Sequence, residues 1–72
     1  MFKVKWVLRR QETNPVASEI IELKSLDVLV TLCQTRLPTM RLRFPETPPD
    51  GFIVSDACEN EVRRWFDRPQ TR

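Results

Sequence analysis

The sequence predicts a small α+β domain with a mainly antiparallel sheet, in the order ββαβ(β)α, where the last element is a C-terminal helix. Residues 2–9 and 39–44 alternate apolar and basic side chains, which is the period of a half-buried strand. Residues 26–33 place their apolar side chains on one broad arc of a helical wheel. The stretch "PETPPDG" holds three of the six prolines and the only glycine, and is typical of a surface loop.

The length and composition predict one domain over residues 1–72. A chain of 72 residues has room for one modest core, since domains of this size bury about 60% of their unfolded surface. Hydrophobic residues make up 40% of the chain and charged residues 31%, as in globular proteins. The net charge of +2 is too small to predict a polyanionic partner, so a basic binding surface has to be local. Dimerisation is one way to bury more surface.

The location of the protein is predicted to be the cytoplasm, without a membrane partner. No run approaches the roughly 18 apolar residues that span a bilayer, and charged residues occupy the N-terminus. Cys33 and Cys58 lie 25 positions apart without CxxC spacing, and a reducing compartment keeps them as thiols. A disulfide between them is the alternative.

The first two strands are predicted to form a hairpin. Successive side chains alternate across the pleat, so the first strand has one apolar and one basic face. The turn "QETNP" follows, where Asn14 before Pro15 favours chain reversal. The second strand, "VASEIIELK", is predicted to bury Ile21 and Leu23, although Ile20 on the opposite face fits this less well. The two faces of the first strand are Phe2, Val4, Trp6 and Leu8, and Lys3, Lys5 and Arg9.

A helix is predicted to begin at Leu26 and to end at Pro38. Ser25 is a suitable N-cap, and Asp27 lies favourably against the positive end of the helix dipole. The β-branched residues of this segment weaken its helix propensity, and a strand is the alternative. The apolar arc consists of Leu26, Val28, Leu29, Val30, Leu32 and Cys33.

The segment "TMRLRF" after Pro38 is predicted to be a third strand. Its period of two places Met40, Leu42 and Phe44 towards the core, and Arg41 and Arg43 towards solvent. The segment "FIVS" is predicted to be a short edge strand that follows the proline-rich loop.

A C-terminal helix is predicted after "FIVS". Asp56 and Glu59 have the spacing of a capping-box-like pair, and Pro69 would close the helix. Residues 68–72 are predicted to be a frayed tail. The buried stripe of this helix would consist of Cys58, Val62, Trp65 and Phe66.

The residue types argue against an enzyme. The chain has no histidine or tyrosine, and its cysteines have no imidazole partner to generate a thiolate. Gly51 alone cannot form a phosphate-binding glycine loop. Glu59 and Glu61 would not face each other on a helix. Two cysteines fall short of the four ligands of a structural zinc site, and a zinc-bridged dimer is the alternative. We therefore predict no catalytic residues, no cofactor and no metal, and a small enzyme is the third functional class.

The strongest candidate for function is a basic surface. If the first and third strands lie in one sheet, their cations emerge on one face, which fits phosphates or an acidic protein partner. Trp6 falls on the opposite side, which argues against base stacking on RNA. Solvated cations, partly offset by Glu22, are the alternative. Trp65 and Phe66 are predicted to be core, or else to form a partner interface with nearby arginines. The candidate binding residues are Lys3, Lys5, Arg9, Arg41, Arg43, Arg64 and Trp65.

The order of a strand, "SEIIELKSLDVLVTL", a basic strand and "FIVSDACENE" resembles small uncharacterised proteins encoded by bacteriophages and prophages. In these proteins a β-hairpin precedes a helix that a Ser-Leu-Asp or Ser-Leu-Glu step introduces. The likeness covers Ser18 to Glu61. It implies a protein that binds and modulates a host protein, as anti-CRISPR and other host-takeover proteins do. Many such inhibitors are strongly acidic mimics of nucleic acid, and this slightly basic chain departs from that pattern.

The predicted function is therefore non-enzymatic binding of a protein, either a host protein or a second copy of this chain. The alternative is a nucleic-acid-binding accessory protein that uses Lys3, Lys5, Arg41 and Arg43. No small-molecule substrate is predicted.

Overall fold

The computed structural model describes residues 1–11 and 13–67. Its elements, in chain order, are strands β1 (Phe2–Val7) and β2 (Ala17–Ile21), helix α1 (Leu26–Arg43), and strands β3 (Gly51–Ser55) and β4 (Glu61–Phe66). The four strands form one antiparallel sheet in the order β2-β1-β3-β4, so the first strand of each hairpin lies at the centre. The predicted α+β class with a mainly antiparallel sheet is confirmed.

The first hairpin follows the alternation of its sequence. Val4 and Trp6 are fully buried beneath the helix, whereas Lys3 and Lys5 point to the other side of the sheet. Ile20 pairs with Lys3, and it is 65% exposed because it also points away from the helix. The predicted hairpin is confirmed, with a second strand that is shorter than the predicted "VASEIIELK".

The helix begins at Leu26, as predicted. The Oγ atom of Ser25 accepts a hydrogen bond from the Val28 backbone nitrogen at 3.3 Å, and Asp27 lies in the first turn. This bond satisfies one of the free N–H groups of the first turn.

The predicted end of the helix at Pro38 is wrong, because the helix continues through this proline to Arg43. An internal proline costs about 3 kcal/mol. Leu37 and Met40, on either side of Pro38, are only 3% and 5% exposed, and burial of each such side chain contributes about 1.5–3 kcal/mol. Core packing therefore offsets the cost of the proline.

The predicted third strand over residues 39–44 is consequently wrong. These residues form the last turns of the helix and its C-cap, Phe44. Met40 and Phe44 both contact the core, since positions four apart share a face in a helix as well as in a strand. Leu42 separates the two alternatives, and at 83% exposure it lies on the outside of a helix.

The predicted C-terminal helix is also wrong, because the one helix described lies between β2 and β3, and the chain after Asp56 forms a turn and strand β4. The carboxylate of Asp56 accepts hydrogen bonds from the backbone nitrogens of Cys58 and Asn60, each at 2.9 Å. The bond from Cys58 is one that a helix N-cap also accepts, and here both bonds close a hairpin turn. Pro69 and the predicted tail over residues 68–72 lie outside the described residues.

The prediction of an edge strand for "FIVS" is wrong, because strand β3 lies at the centre of the sheet. It pairs with β1 and β4, and all its residues are buried. The Phe52 ring lies between two tryptophans, with its centroid 5.6 Å from Trp6 and 5.6 Å from Trp65. The core between helix and sheet consists of Val4, Trp6, Leu29, Val30, Cys33, Leu37, Met40, Phe52 and Val54.

Candidate binding surfaces

The helix packs on one side of the sheet only, and we call the other side the open face. Strand pairing aligns its side chains in rows across the sheet. One row contains Lys5, Ile53 and Arg64, and the next contains Lys3, Ser55 and Glu61. The open face consists of Lys3, Lys5, Val7, Ser18, Ile20, Gly51, Ile53, Ser55, Glu61, Arg64 and Phe66.

The centre of the open face is buried, although the helix packs on the other side of the sheet. Ile53 and Ser55 are only 7% and 3% exposed. In the part of the chain that the structure describes, no helix or strand lies above them. Lys5 and Arg64 flank Ile53 on the neighbouring strands, where their aliphatic stems can cover it while their charges reach water. A cleft of about 310 Å³ opens here, lined by Lys5, Thr13, Ile53, Ser55, Glu59, Glu61 and Arg64.

A β-bulge brings Glu61 and Arg64 together. Residues three apart in a regular strand point to opposite faces, but the register shifts so that Val62 is the extra residue. Arg64 then donates two hydrogen bonds to the Glu61 carboxylate, from Nε at 2.7 Å and from Nη2 at 2.9 Å. The hydrogen bond from Arg64 lowers the pKa of Glu61, and the charges of Arg64 and Lys5 lower it further. The open face therefore carries one firmly ionised carboxylate among its cations.

Arg9 extends this basic region and also fastens the end of the sheet. Its backbone nitrogen donates to the Asp50 carboxylate at 2.9 Å, and its Nη2 atom donates to the Asp67 carbonyl oxygen at 2.6 Å. Its guanidinium carbon lies 5.5 Å from the centroid of the Phe66 ring. The side chain of Arg9 bonds to a neutral carbonyl group, so this contact brings no compensating negative charge to the guanidinium.

Arg41 and Arg43 do not join the predicted basic face. Both lie in the last turn of the helix, on the opposite side of the sheet from Lys5. The Nε atom of Arg41 donates to the Pro49 carbonyl oxygen at 3.0 Å, and its Nη1 atom lies 3.1 Å from a carboxylate oxygen of Asp67. Arg41 thus ties the helix end to the proline-rich loop. The prediction of one basic plate from two strands is wrong because the second of those strands is helix.

The structure instead brings together Lys3, Lys5, Arg9 and Arg64. Arg64 was among the predicted binding residues, and it reaches this group through β4. The sequence did not predict this strand, because the segment "EVRRWF" does not alternate apolar and polar residues. The bulge at Val62 breaks the period of two, and no other signal in the sequence replaces it.

Trp65 lies on the helix side of the sheet. Its ring stacks on Phe52 with an interplanar angle of 27°, and the residue is half-buried against the core. The neighbouring Arg63 lies 3.8 Å from a carboxylate oxygen of Asp27 on the helix. The contacts of Trp65 are those of a core residue.

A half-buried polar cluster joins β1, β2 and the helix. The Nε1 atom of Trp6 donates to Glu19 at 2.9 Å, and Arg36 lies 3.3 Å from the other oxygen of the same carboxylate. Burial, and secondarily the charge of Glu19, raise the pKa of the Cys33 thiol to about 11, against the opposing effect of Arg36. Cys33 is therefore a protonated thiol at neutral pH, and it packs as an apolar residue.

Both cysteines are free thiols, with Cys33 buried and Cys58 exposed in the turn between β3 and β4. Within residues 1–11 and 13–67, no three side chains of His, Cys, Asp or Glu gather as metal ligands.

Comparisons with protein-family models, with curated proteins and with solved structures find no match for this chain. In the same described residues, no helix combines the length and the apolar character that a membrane crossing requires. Function is therefore inferred from the geometry and chemistry of the surfaces.

Proposed function

We propose that this protein is a non-enzymatic binding module whose open face binds an acidic segment of a partner protein. The observation that carries the proposal is the row of Lys5, Ile53 and Arg64, where cations border a buried apolar strip on an uncovered side of the sheet. Such a strip can dock an extended or helical segment while the cations meet its carboxylates.

The lysines of β1 are available to a partner. Among the residues that the structure describes, neither Lys3 nor Lys5 forms an ion pair. Both are half-buried on a central strand, so their stems are partly ordered before binding. Ordering them further costs less conformational entropy than ordering fully exposed lysines.

The exposed apolar residue Ile20, at the edge of the open face, favours an amphipathic partner. Ile20 lies beside Lys3 in the same row and is 65% exposed. A partner that places an apolar side chain on Ile20 and carboxylates near Lys3 and Lys5 would match both features.

Nucleic acid is the second candidate, since four cations lie on or beside the open face. Glu61 lies beside Arg64 in this group, and both tryptophan rings lie on the helix side. Readers of single strands on a sheet stack bases on exposed aromatic residues. Phosphate contacts alone would give weak, salt-sensitive binding without sequence preference.

The proposal can be tested with two fluorescent probes, an acidic synthetic peptide with interspersed leucines and a single-stranded DNA, by anisotropy at low and moderate salt. We expect the peptide to bind, with amide shifts in nuclear magnetic resonance spectra on β1 and β4. The variant K3E/K5E should weaken peptide binding at least tenfold. The matched control K24E/R43E makes the same change in net charge on exposed residues away from the open face, and should weaken binding less than twofold.

Equal losses in the two variants would show that only bulk charge matters, and would contradict the proposal. DNA binding that survives moderate salt and depends on Lys3 and Lys5 would instead establish the nucleic-acid class. If the resemblance to phage-encoded proteins holds, the natural partner is a host protein. Capture from a lysate by the wild-type protein, but not by K3E/K5E, would then identify it.

A further inference from the structure

Helix α1 presents an uncharged stripe to solvent on the side opposite the core. Charged side chains make up 31% of the chain and ordinarily occupy the outer face of a surface helix. On a helical wheel drawn at 100° per residue, the outward-facing arc of residues 28–42 contains no charged residue. We call these positions the outer stripe: Val28, Thr31, Leu32, Thr35, Pro38, Thr39 and Leu42.

The outer stripe contains exposed apolar side chains at the spacing of a coiled-coil seam. Val28, Leu32 and Leu42 are 56%, 37% and 83% exposed. Together with Thr35 and Thr39 they are spaced alternately four and three residues apart, which is the a/d repeat. A shallow depression of about 470 Å³ lies along the first half of the stripe, lined by Asp27, Val28, Thr31, Leu32 and Thr35.

The polar group at the centre of the stripe needs no partner outside the helix. The Thr35 hydroxyl donates to the Thr31 carbonyl oxygen of its own helix at 3.0 Å. Covering this position therefore leaves no hydroxyl donor unsatisfied.

We propose that the outer stripe is the contact between two copies of this chain, with the two helices antiparallel and the two-fold axis at Thr35. A two-fold contact requires that residue i meets residue j and that j meets i. This register places Val28 of one copy opposite Leu42 of the other, Leu32 opposite Pro38, Thr31 opposite Thr39, and Thr35 opposite itself. The apolar side chains are then distributed over both ends of the contact.

The charges at the helix ends favour the antiparallel orientation. Asp27 lies in the first turn and Arg43 in the last turn, whereas the neighbouring Arg41 is already paired with Asp67 of its own chain. Antiparallel helices place the acidic end of one beside the basic end of the other, and they also oppose the two helix dipoles. Parallel helices would place like charges together.

The expected dimer is weak. The helix of 18 residues is about 27 Å long, and a single helix face buries less than the roughly 800 Å² per partner of a standard stable interface. The outer stripe and the open face lie on opposite sides of the molecule, so a dimer presents two open faces. The dimer does not depend on what the open face binds.

Analytical ultracentrifugation over a range of concentrations tests the dimer. We expect reversible dimerisation of the wild-type protein and a dissociation constant raised at least tenfold by L42E. Leu42 is 83% exposed, so this change leaves the core intact, which circular dichroism can verify. The control I20E introduces the same charge at an exposed apolar residue of the open face, and should change the constant less than twofold. A wild-type protein that stays monomeric at about 1 mM, the weak end of the affinity scale, would overturn the proposal. Dissociation by I20E rather than L42E would overturn it as well.

Cysteine cross-linking tests the register in the C58S variant, where the buried Cys33 is the remaining native thiol. Under mild oxidation T35C should link to its own copy. V28C and L42C should fail to link alone but should link when mixed. Self-linking at all three positions would indicate parallel helices and would contradict the proposed arrangement.

Discussion

The two sides of the sheet are both buried at their centres, but different parts of the chain bury them. On the helix side, Val4, Trp6 and Phe52 are fully buried between two layers of secondary structure. On the open face, Val7 and Ile53 are buried at 0% and 7% exposure, although no described helix or strand lies above them. Substitutions on the helix side should therefore affect mainly folding, and substitutions of open-face cations should affect mainly binding.

The largest effect is expected on the helix side, from L29A. Leu29 is fully buried, and its truncation should lower the free energy of unfolding by about 2–5 kcal/mol through lost burial and a residual cavity. Urea denaturation measures this loss. The same change at Leu32, one turn away on the outer stripe, should cost less than about 1 kcal/mol. Similar losses in both variants would show that the helix does not pack as described.

The next effect is expected from G51A, a position on the open face where neighbouring backbone lies very close. A Cβ atom at Gly51 would clash with the Trp65 carbonyl oxygen and would lie 2.7 Å from the Phe66 Cα atom. Neighbouring backbone cannot move aside as a flexible side chain can, so we expect a loss of about 2–3 kcal/mol in unfolding free energy. A loss below about 0.5 kcal/mol would mean that β3 and β4 separate easily at this end.

The first half of the fold could be predicted from sequence because its local signals agree with its tertiary contacts. The alternation in β1 matches a strand with one covered face, and Ser25 caps the helix that the apolar arc predicts. The second half of the fold could not be predicted, because two local sequence signals are each compatible with two structures. Pro38 usually ends a helix, but here the burial of Leu37 and Met40 outweighs its cost. Asp56 forms cap-like bonds that serve a turn as well as a helix.

The candidate site was predictable only in part, for the same reason. Lys3 and Lys5 follow from the alternation of β1 alone. Their neighbour Arg64 depends on the bulge in β4, which is a tertiary feature. The outer stripe was hidden because Val28 and Leu32 fall within the broad apolar arc of the sequence, and only packing shows which residues face the core.

A smaller loss of stability is expected from R9A, which removes a long side chain that packs at the end of the open face. Arg9 bonds to the Asp67 carbonyl oxygen and lies over Phe66, so R9A should lower the unfolding free energy by about 1 kcal/mol. The control R10A removes an exposed arginine next in sequence, and its effect should lie within about 0.5 kcal/mol of zero. Thermal or urea denaturation distinguishes them, and equal effects would argue against this role of Arg9.

The smallest effect concerns the ionisation of Glu61. The pH dependence of the 13C chemical shift of its side-chain carboxyl group measures the pKa. Its pKa should lie below the ordinary 4.5, and R64Q should raise it more than K5Q, because the Arg64 hydrogen bond is the larger cause. A folded-state pKa that is lowered favours the folded protein above the unfolded pKa, and this contribution disappears as the pH falls through the folded value. The Arg64 contact should therefore stabilise the turn end of β4 at neutral pH and weaken in acid. A larger rise in K5Q than in R64Q would show that charge across the sheet, rather than the hydrogen bond along β4, controls this carboxylate.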